Sequence, residues 1–345
     1  MSGARIKTLP VAPPLRGLAD LVAAGLVADA DRPALEAVAA RYAVALTPAM
    51  AALIDAADPN DPIGRQFLPS AAELIRTPEE IADPIGDDPR SPVRGLVHRY
   101  PDRVLLKPSH TCPVYCRFCF RRESVGPAGA GTLTESELAA AFAYVAAHPQ
   151  IFELIVSGGD PFMLSPRRMA AIAEAAGGVG HVKVMRWHSR VPLVDPGRVS
   201  AHLIAAVKRF PGAVYVAIHA DHPREFTPPG RAALARLADA GIALLSQSVL
   251  LKGINDDAAV LEELMRAFMV NRVKPYYLHQ GDLAPGTAHF RTTLAEGQAL
   301  MRALRGRLSG IAQPTYVVDL PGGHGKVPVG PAYLAEDRIA DPSET

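Results

Sequence analysis

The stretch LLKPSHTCPVYCRFCFRRE, residues 105–123, contains every cysteine of the chain: Cys112, Cys116 and Cys119. Their spacing is C-x3-C-x2-C, and a phenylalanine precedes the third cysteine. Clustered thiolates are soft ligands that suit iron–sulfur clusters. A [4Fe–4S] cluster has more irons than this stretch has cysteines, so one iron stays open to another ligand. The stretch therefore predicts a cluster that binds a small molecule and does not only carry electrons.

Three other interpretations of the cysteine stretch fit its pattern less well. A structural zinc site normally needs four protein ligands, so His110 would have to be the fourth, and the spacing is unusual for zinc. A disulfide framework would leave one of the three cysteines unpaired. Inert buried cysteines would rarely cluster so closely along the chain.

The composition limits the classes of protein to which the chain can belong. Its 345 residues, 49% of them apolar, are enough for one large domain or two smaller ones. The 36 basic and 35 acidic residues nearly balance, which argues against a nucleic-acid partner. The sequence has no apolar run of the kind that forms a membrane span or a signal peptide, so we expect no membrane association. With the low cysteine content, this predicts a cytoplasmic protein.

The pattern around the cysteine stretch predicts a repeated strand–helix unit. Short apolar strands are expected at residues 104–107, 153–156, 182–186, 213–218, 242–247 and 273–277. Amphipathic helices are expected at residues 135–148, 166–176, 197–210, 231–240, 257–271 and 294–308. Thr134 is a plausible N-cap of the first helix. Repeated units of this kind imply an α/β fold with a parallel sheet, either an open partial barrel or a doubly wound sheet.

Residues 1–95 follow a different pattern and form a predicted helical domain. Helical apolar spacing occurs at residues 15–28 and 32–40, and a further helix is expected at 48–57. Turn-rich charged segments follow, and we interpret them as a loop that wraps the next domain. The predicted organisation is a helical domain with its wrapping loop at 1–95, an α/β barrel at 96–310 and a C-terminal segment at 311–345.

Polar residues fall at the C-terminal ends of the predicted strands, which face the active site in parallel α/β folds. They are the three cysteines, Asp160, Arg190, His219, Gln247 and Asp282. The tail adds YVVDLPGGHGK, residues 316–326, which reads as a strand, a glycine-rich turn and Lys326. A Walker-type phosphate loop is excluded because no Ser or Thr follows the lysine. On its own, the tail predicts a loop with an exposed lysine.

Together, the cysteine stretch and the tail resemble the lysine 2,3-aminomutase family of radical-SAM, pyridoxal-phosphate (PLP) enzymes. Further ordered matches between residues 98 and 329 include HRYPDRVLL, SGGDP, HSRVP, QSVLL, KPYYLHQGDL, AHFRT and VVDLPGGHGK. The resemblance implies a partial (β/α)6 radical-SAM barrel that uses a [4Fe–4S] cluster, S-adenosylmethionine (SAM) and PLP. It also implies an isomerase that moves the amino group of L-lysine from C2 to C3 and gives β-lysine.

The resemblance assigns residues to each cofactor. Cys112, Cys116 and Cys119 match the cluster ligands. The positions around the two organic cofactors are matched by Arg99, Tyr100, Asp160, Arg190, His219, Gln247 and Lys326. Lys326 matches the lysine that holds PLP as a Schiff base, while Arg99 and Tyr100 match residues near its phosphate. The chain has no further cysteine for structural zinc, which resembles the compact bacterial branch of the family.

The resemblance assigns three residues to the substrate. Arg121 matches the arginine that holds the substrate carboxylate, a contact that suits a planar guanidinium. Asp282 and Asp319 match two carboxylates that bind the distal ammonium of lysine, because a buried cation needs anionic partners. Each aspartate read alone could instead be a turn residue or a strand-end cap.

The expected partners follow from the same resemblance. They are an amino-acid substrate, an electron donor such as flavodoxin or ferredoxin, and a second copy of the chain in a homo-oligomer. Three alternatives to the main activity remain open. The same amino shift could act on arginine or glutamate, or the β-lysine could serve the modification of elongation factor P. The third alternative is a non-catalytic iron–sulfur protein.

Overall fold

The computed structural model describes residues 13–126, 131–320, 325–335 and 338–339. Residues 321–324, the first part of the glycine-rich turn, lie outside the described residues. The helices are α1 Leu18–Ala23, α2 Arg32–Arg41, α3 Pro48–Ala51, α4 Pro62–Phe67, α5 Glu135–Ala146, α6 Pro166–Gly178, α7 Val191–Val194, α8 Ala201–Val207, α9 Pro228–Asp239, α10 Ala258–Val270 and α11 Leu294–Arg305. The strands are β1 Leu96–Tyr100, β2 Arg103–Ser109, β3 Glu153–Gly158, β4 Val184–Ser189, β5 Ala213–His219, β6 Ala243–Val249, β7 Val273–His279, β8 Thr315–Asp319, β9 Lys326–Pro328, β10 Leu334–Ala335 and β11 Arg338–Ile339.

Strands β1 to β9 form one sheet in which spatial order follows chain order. Strands β2 to β8 pair in parallel, whereas β1 and β9 pair antiparallel at the two edges. The six predicted strand–helix units are confirmed as β2–α5, β3–α6, β4–α8, β5–α9, β6–α10 and β7–α11. Strand β8, which the sequence placed in the tail, pairs with β7 as the next parallel strand.

The sheet is curled, which decides between a barrel and a doubly wound sheet. Arg99 on β1 bonds Asp319 at the end of β8, and the Lys326 amide on β9 bonds Tyr100 on β1. In a flat sheet the outermost of these strands would lie roughly 38 Å apart, at about 4.8 Å per strand spacing. Direct contact between the edges therefore requires a curled sheet, and the partial barrel expected for a radical-SAM enzyme is confirmed.

The outer helices pack on the sheet through one apolar face. In α10 the buried residues Leu261, Leu264, Met265 and Phe268 recur at the three-to-four-residue spacing of a helix stripe. Each such side chain contributes roughly 1.5–3 kcal/mol when it is fully removed from water. Thr134 caps α5 as predicted, and its hydroxyl accepts a hydrogen bond from the Glu137 amide. No helix in the described ranges is both long and apolar enough to cross a bilayer.

The N-terminal segment packs beneath the cysteine loop. Its apolar cluster, which includes Leu21, Met50 and Phe67, also contains Val114 from between the first two cysteines. Some predicted bounds in this segment are wrong. The helix expected at 15–28 is only α1, because Gly25 adopts a left-handed conformation with φ of 69° and ends it. The helix expected at 48–57 is only the single turn of α3.

Helix α4 was missed because the sequence DPNDPIGRQ reads as a turn. The Asp61 carboxylate accepts hydrogen bonds from the amides of Ile63 and Gly64, and Pro62 occupies the first helical position. An aspartate N-cap followed by proline is a recognised start signal for a helix. The helix matters because its Gln66 reaches the cysteine loop.

Candidate active site

All the site residues chosen from the sequence line one cavity at the mouth of the barrel. They are Arg99, Tyr100, Cys112, Cys116, Cys119, Arg121, Asp160, Arg190, His219, Gln247, Asp282, Asp319 and Lys326. Most follow or end a parallel strand, where the loops of successive strands converge. Residues more than two hundred positions apart in the chain therefore share one site.

The three cysteines lie on a loop of turns after β2, with free thiol groups. The Cys119 amide donates to the Cys116 carbonyl oxygen at 3.1 Å. Burial raises the pKa of all three thiols, that of Cys116 to about 11 despite the Arg190 guanidinium beside it. Thiolates in such surroundings need a bound cation to stay ionised. This soft donor set fits an iron–sulfur cluster.

The zinc interpretation would require His110 beside the cysteines as a ligand. Its Nδ1 contacts the Ser124 carbonyl oxygen at 3.0 Å. Within the described ranges, no three His, Cys, Asp or Glu side chains are spaced to hold a single metal ion.

Arg190 connects the cysteine loop to the end of β4. Its buried guanidinium donates to Cys116 Sγ at 2.8 Å and to Glu225 Oε2 at 2.8 Å, and it also bonds Gln66. A second carboxylate, that of Asp221, lies 3.6 Å away. The arginine is thus a neutralised internal cation at the sulfur.

Asp160 lines the cavity, but its carboxylate is already saturated by protein donors. It accepts hydrogen bonds from Ser189 Oγ at 2.8 Å and from the amides of Phe162, Arg190 and Val191 at 2.7 to 3.1 Å. These bonds fix the loop that begins at the end of β4. Its contribution to the site is therefore indirect, through the placement of Arg190.

His219 and Gln247 occupy the ends of the adjacent strands β5 and β6. His219 Nε2 lies 2.8 Å from Asp221 Oδ2, and Asp221 also accepts the Val249 amide at 2.8 Å. The carboxylate holds the imidazole at a defined angle beside Phe118, whose ring centroid is 5.9 Å away. His219 is therefore an oriented group on the wall of the cavity.

Lys326 lies where the two edges of the sheet meet. Its ammonium bonds one carboxylate oxygen of Asp319, and the other oxygen accepts Arg99 Nη1 at 2.7 Å. The Lys326 amide donates to Tyr100 Oη at 2.9 Å. A Cβ at Gly325, where φ is 116°, would lie 2.3 Å from the Tyr100 ring. Only glycine fits this approach, so Lys326 is held against β1.

Asp282 follows β7 and faces the same space as Asp319. Burial raises the pKa of Asp282 to about 7, and the Asp319 carboxylate contributes to the increase. The two aspartates therefore form an acidic pair in which Arg99 and Lys326 neutralise one member. The other member is protonated in much of the protein at neutral pH.

Arg121 is oriented by Asp87, a residue that the sequence analysis did not identify. Asp87 Oδ2 accepts Arg121 Nη2 at 3.1 Å and Lys107 Nζ at 3.4 Å. Burial opposes ionisation of Asp87, but the two cations outweigh it and lower the pKa of the carboxyl. Asp87 lies in the segment predicted to wrap the barrel, and no local motif marks it as a site residue.

Two imidazoles on the cavity wall were also missed. His188 on β4 and His279 on β7 each have a shielded Nε2 without a hydrogen-bond partner among the described residues. Burial lowers the pKa of both well below the usual range, and the Lys326 cation contributes to each decrease. Neutral groups with unsatisfied nitrogens in a cavity suit a polar ligand. Both occupy strand ends, the signal that identified His219.

Two family models match the sequence. The model described as lysine-2,3-aminomutase matches residues 301–339, and the radical SAM superfamily model matches residues 106–273. The first match includes Asp319 and Lys326, and the second includes the three cysteines. The two halves of the cavity are thus matched independently.

Curated relatives match over most of the chain. The L-lysine 2,3-aminomutase of Acetoanaerobium sticklandii is 42% identical over 84% of this chain and 70% of its own length. The L-lysine 2,3-aminomutase of Clostridium subterminale is 41% identical over the same shares. A glutamate 2,3-aminomutase from Clostridioides difficile is 34% identical over 87% of this chain and 70% of its length.

Proposed function

Because the chain belongs to the lysine 2,3-aminomutase family of radical-SAM enzymes, we propose that it moves the amino group of L-lysine from C2 to C3 and forms β-lysine. The chain is an enzyme of the isomerase class that works with a [4Fe–4S] cluster, SAM and PLP. The observation that carries the proposal is the shared cavity of the cysteine loop, Lys326 and the acidic pair.

When bound, the cluster and SAM supply a hydrogen-abstracting radical, and PLP supplies a conjugated ring that stabilises a neighbouring radical. Cys112, Cys116 and Cys119 would hold three irons and leave the fourth to SAM. The chain has no other cysteine to close that position. Arg190 lies against Cys116 and would place a positive charge beside the cluster.

Residues of both sheet edges would hold PLP. Lys326 would bind it covalently, and Arg99 and Tyr100 would face its phosphate, as in the family pattern. His188 and His279, whose Nε2 atoms have no hydrogen-bond partner among the described residues, line the same cavity as Lys326 and would add polar groups to this site. When Lys326 is engaged with the cofactor, it no longer neutralises Asp319.

The remaining charged groups would orient the substrate. Arg121, held by Asp87, presents a guanidinium to the substrate carboxylate. Asp282 and Asp319 would bind the distal ammonium. Only one of the two carboxylates is paired with Arg99, so the pair would attract a distal ammonium and disfavour the distal carboxylate of glutamate, the substrate named for the Clostridioides difficile relative.

Changing Asp282 to asparagine should lower kcat/KM for lysine by about two to three orders of magnitude, because loss of one partner of a buried ion pair costs roughly 3–5 kcal/mol. PLP binding, measured by absorbance, should be retained. Asp319→Asn should have a similar effect on lysine, although its contacts with Arg99 and Lys326 require a parallel check of bound PLP. Asp239→Asn on the outer helix α9 is the matched control and should behave as wild type. A normal kcat/KM for lysine in both site variants would refute the pocket assignment.

The pKa of Asp282 predicts a pH dependence. Below pH 7 the carboxyl is mostly protonated and attracts the lysine ammonium weakly, whereas above pH 7 it is ionised. We therefore expect kcat/KM for lysine to rise between about pH 6 and 8, and the rise to be absent in Asp282→Asn. An unchanged rise in this variant would assign the titration to another group.

An anaerobic assay with SAM, PLP and a reductant on lysine, arginine and glutamate, followed by mass spectrometry, tests the proposed reaction. Preferential conversion of lysine supports it. Preferential conversion of glutamate or arginine would show that the enzyme performs the same amino shift on that substrate instead. Supply of β-lysine for elongation factor P would be a biological role of the same reaction, and it requires transfer of the product to that protein.

The proposal also includes a cytoplasmic location, an electron donor such as flavodoxin or ferredoxin, and a homo-oligomer. The chemistry needs one electron at the cluster and reduced thiols, which supports the donor and the compartment. The homo-oligomer follows from the family resemblance.

A further inference from the structure

Glu73 of the N-terminal segment is a fully buried carboxylate that bonds two arginines of the cysteine loop. Its oxygens accept Arg117 Nε at 3.0 and 3.1 Å and Arg117 Nη2 at 2.6 Å. Glu73 Oε2 also accepts Arg122 Nη2. Arg117 lies between the second and third cysteines, and Arg122 follows the third, so Glu73 holds the loop on both sides of Cys119.

Sheet hydrogen bonds do not determine the conformation of this loop, because the described residues 110–126 belong to no strand. Contacts with the N-terminal segment hold the loop in its conformation instead. Arg117 donates its amide to the Gln66 carbonyl oxygen at 2.8 Å and its Nη1 to the Ala43 carbonyl oxygen at 2.8 Å. Glu73 is the anionic group at the centre of this set.

Glu73 also contacts the loop that carries Asp282, through Arg122 and through its own backbone. Arg122 Nη1 donates to the Gly286 carbonyl oxygen at 3.0 Å. A Cβ at Gly286 would lie 2.2 Å from the Glu73 carbonyl oxygen, so this loop packs directly on Glu73. The cysteine loop and the proposed substrate loop therefore share one buried anchor.

Stability alone is a weak reason for such a cluster. Burial of three ionised groups carries a desolvation penalty, and apolar side chains of similar size often stabilise a fold as well or better. An ion cluster does, however, impose directional contacts on the segments that it joins. The geometry therefore indicates that Glu73 positions the segments that it joins.

We propose that Glu73 is a positioning residue that fixes the cysteine loop in the conformation that binds the cluster and SAM. The inference rests on the proposed assignment of the cysteines as cluster ligands. Its effect reaches the site through Arg117 and Arg122, because Glu73 does not line the cavity. Loss of a group that holds metal ligands in place typically costs about 10–100-fold in metal affinity or activity.

The test compares Glu73→Gln, Glu73→Asp and the double variant Glu73→Gln/Arg122→Gln with wild type. Each protein is reconstituted anaerobically, and its iron content and the SAM-dependent change in its electron paramagnetic resonance signal are measured. The double variant removes one negative and one positive charge and keeps the net charge of the wild-type cluster, so it should carry a smaller folding penalty than Glu73→Gln alone. Glu262→Gln is the matched control, since Glu262 on the outer helix α10 also pairs with two arginines, Arg266 and Arg307, and does not line the cavity.

Glu73→Gln and the double variant should need about 10–100-fold more SAM for the spectroscopic change, or bind well below the roughly four irons of a full cluster. Glu73→Asp should recover part of the affinity. Glu262→Gln should retain the iron and the response to SAM. Wild-type SAM affinity in a folded Glu73→Gln or double variant would overturn the proposal, as would an equal defect in Glu262→Gln. Failure of wild type to respond to SAM would instead overturn the cysteine assignment, and the inference with it.

Discussion

Alanine in place of Cys112, Cys116 or Cys119 should abolish reductive cleavage of SAM. Each variant removes one of three thiolates, and the sequence contains no other cysteine that could replace it. The carboxylates and imidazoles elsewhere in the cavity are poor substitutes, because [4Fe–4S] clusters are held by soft thiolate ligands. Methionine and 5′-deoxyadenosine, quantified by chromatography after anaerobic incubation with reductant, measure the cleavage. We expect both products to fall below detection in all three variants.

Val114→Ala is the control for this prediction. Val114 lies in the same loop and is 2% exposed, but its side chain has no ligand atom. Its truncation removes two buried methyl groups and should cost about 1.5–3 kcal/mol of stability while leaving the iron content unchanged. The assignment of the three cysteines as cluster ligands would be wrong if a cysteine variant cleaved SAM at the wild-type rate. It would also be wrong if purified wild type held zinc tightly and no iron after reconstitution.

The sequence predicted the parts of the site that depend on local chemistry. Three cysteines within one loop identify a metal centre wherever the loop lies, and strand-end position identified His219 and Gln247 without knowledge of the sheet. A glycine-rich turn was predicted before Lys326, and in the structure its described glycine, Gly325, packs against Tyr100. These features are encoded within a few residues, so periodicity and motif spacing reveal them.

Contacts between distant segments could not be predicted in the same way. Asp87 and Glu73 look like ordinary acidic residues of a charged N-terminal segment, and only the fold shows that they hold Arg121, Arg117 and Arg122. Curling of the sheet is equally non-local, because it becomes visible through the bond from Arg99 to Asp319 across 220 positions. The acidic pair was predicted as a substrate site, but its partial neutralisation by Arg99 and Lys326 was not.

Lys326→Ala should eliminate aminomutase turnover, with a loss of roughly 1,000-fold or more, because we propose that the residue acts in covalent catalysis and no other lysine lines the cavity among the described residues. Borohydride reduction of wild type with PLP should attach the cofactor to a peptide that contains Lys326. The variant should still cleave SAM slowly, because the cysteine loop is unchanged. Turnover is measured as β-lysine by mass spectrometry, and labelling by peptide mapping.

Lys326→Arg separates the covalent role of the lysine from its charge. The guanidinium keeps a cation beside Asp319, which in the structure bonds both Lys326 and Arg99, yet it cannot form the covalent link to PLP. We expect Lys326→Arg to be as inactive as Lys326→Ala but to retain the wild-type melting temperature more closely. Lys274→Ala is the matched control, because the Lys274 ammonium bonds the Pro275 carbonyl oxygen at 2.6 Å outside the cavity. Labelling of Lys274 or Lys252 by borohydride, or substantial turnover in Lys326→Arg, would show that another residue holds the cofactor.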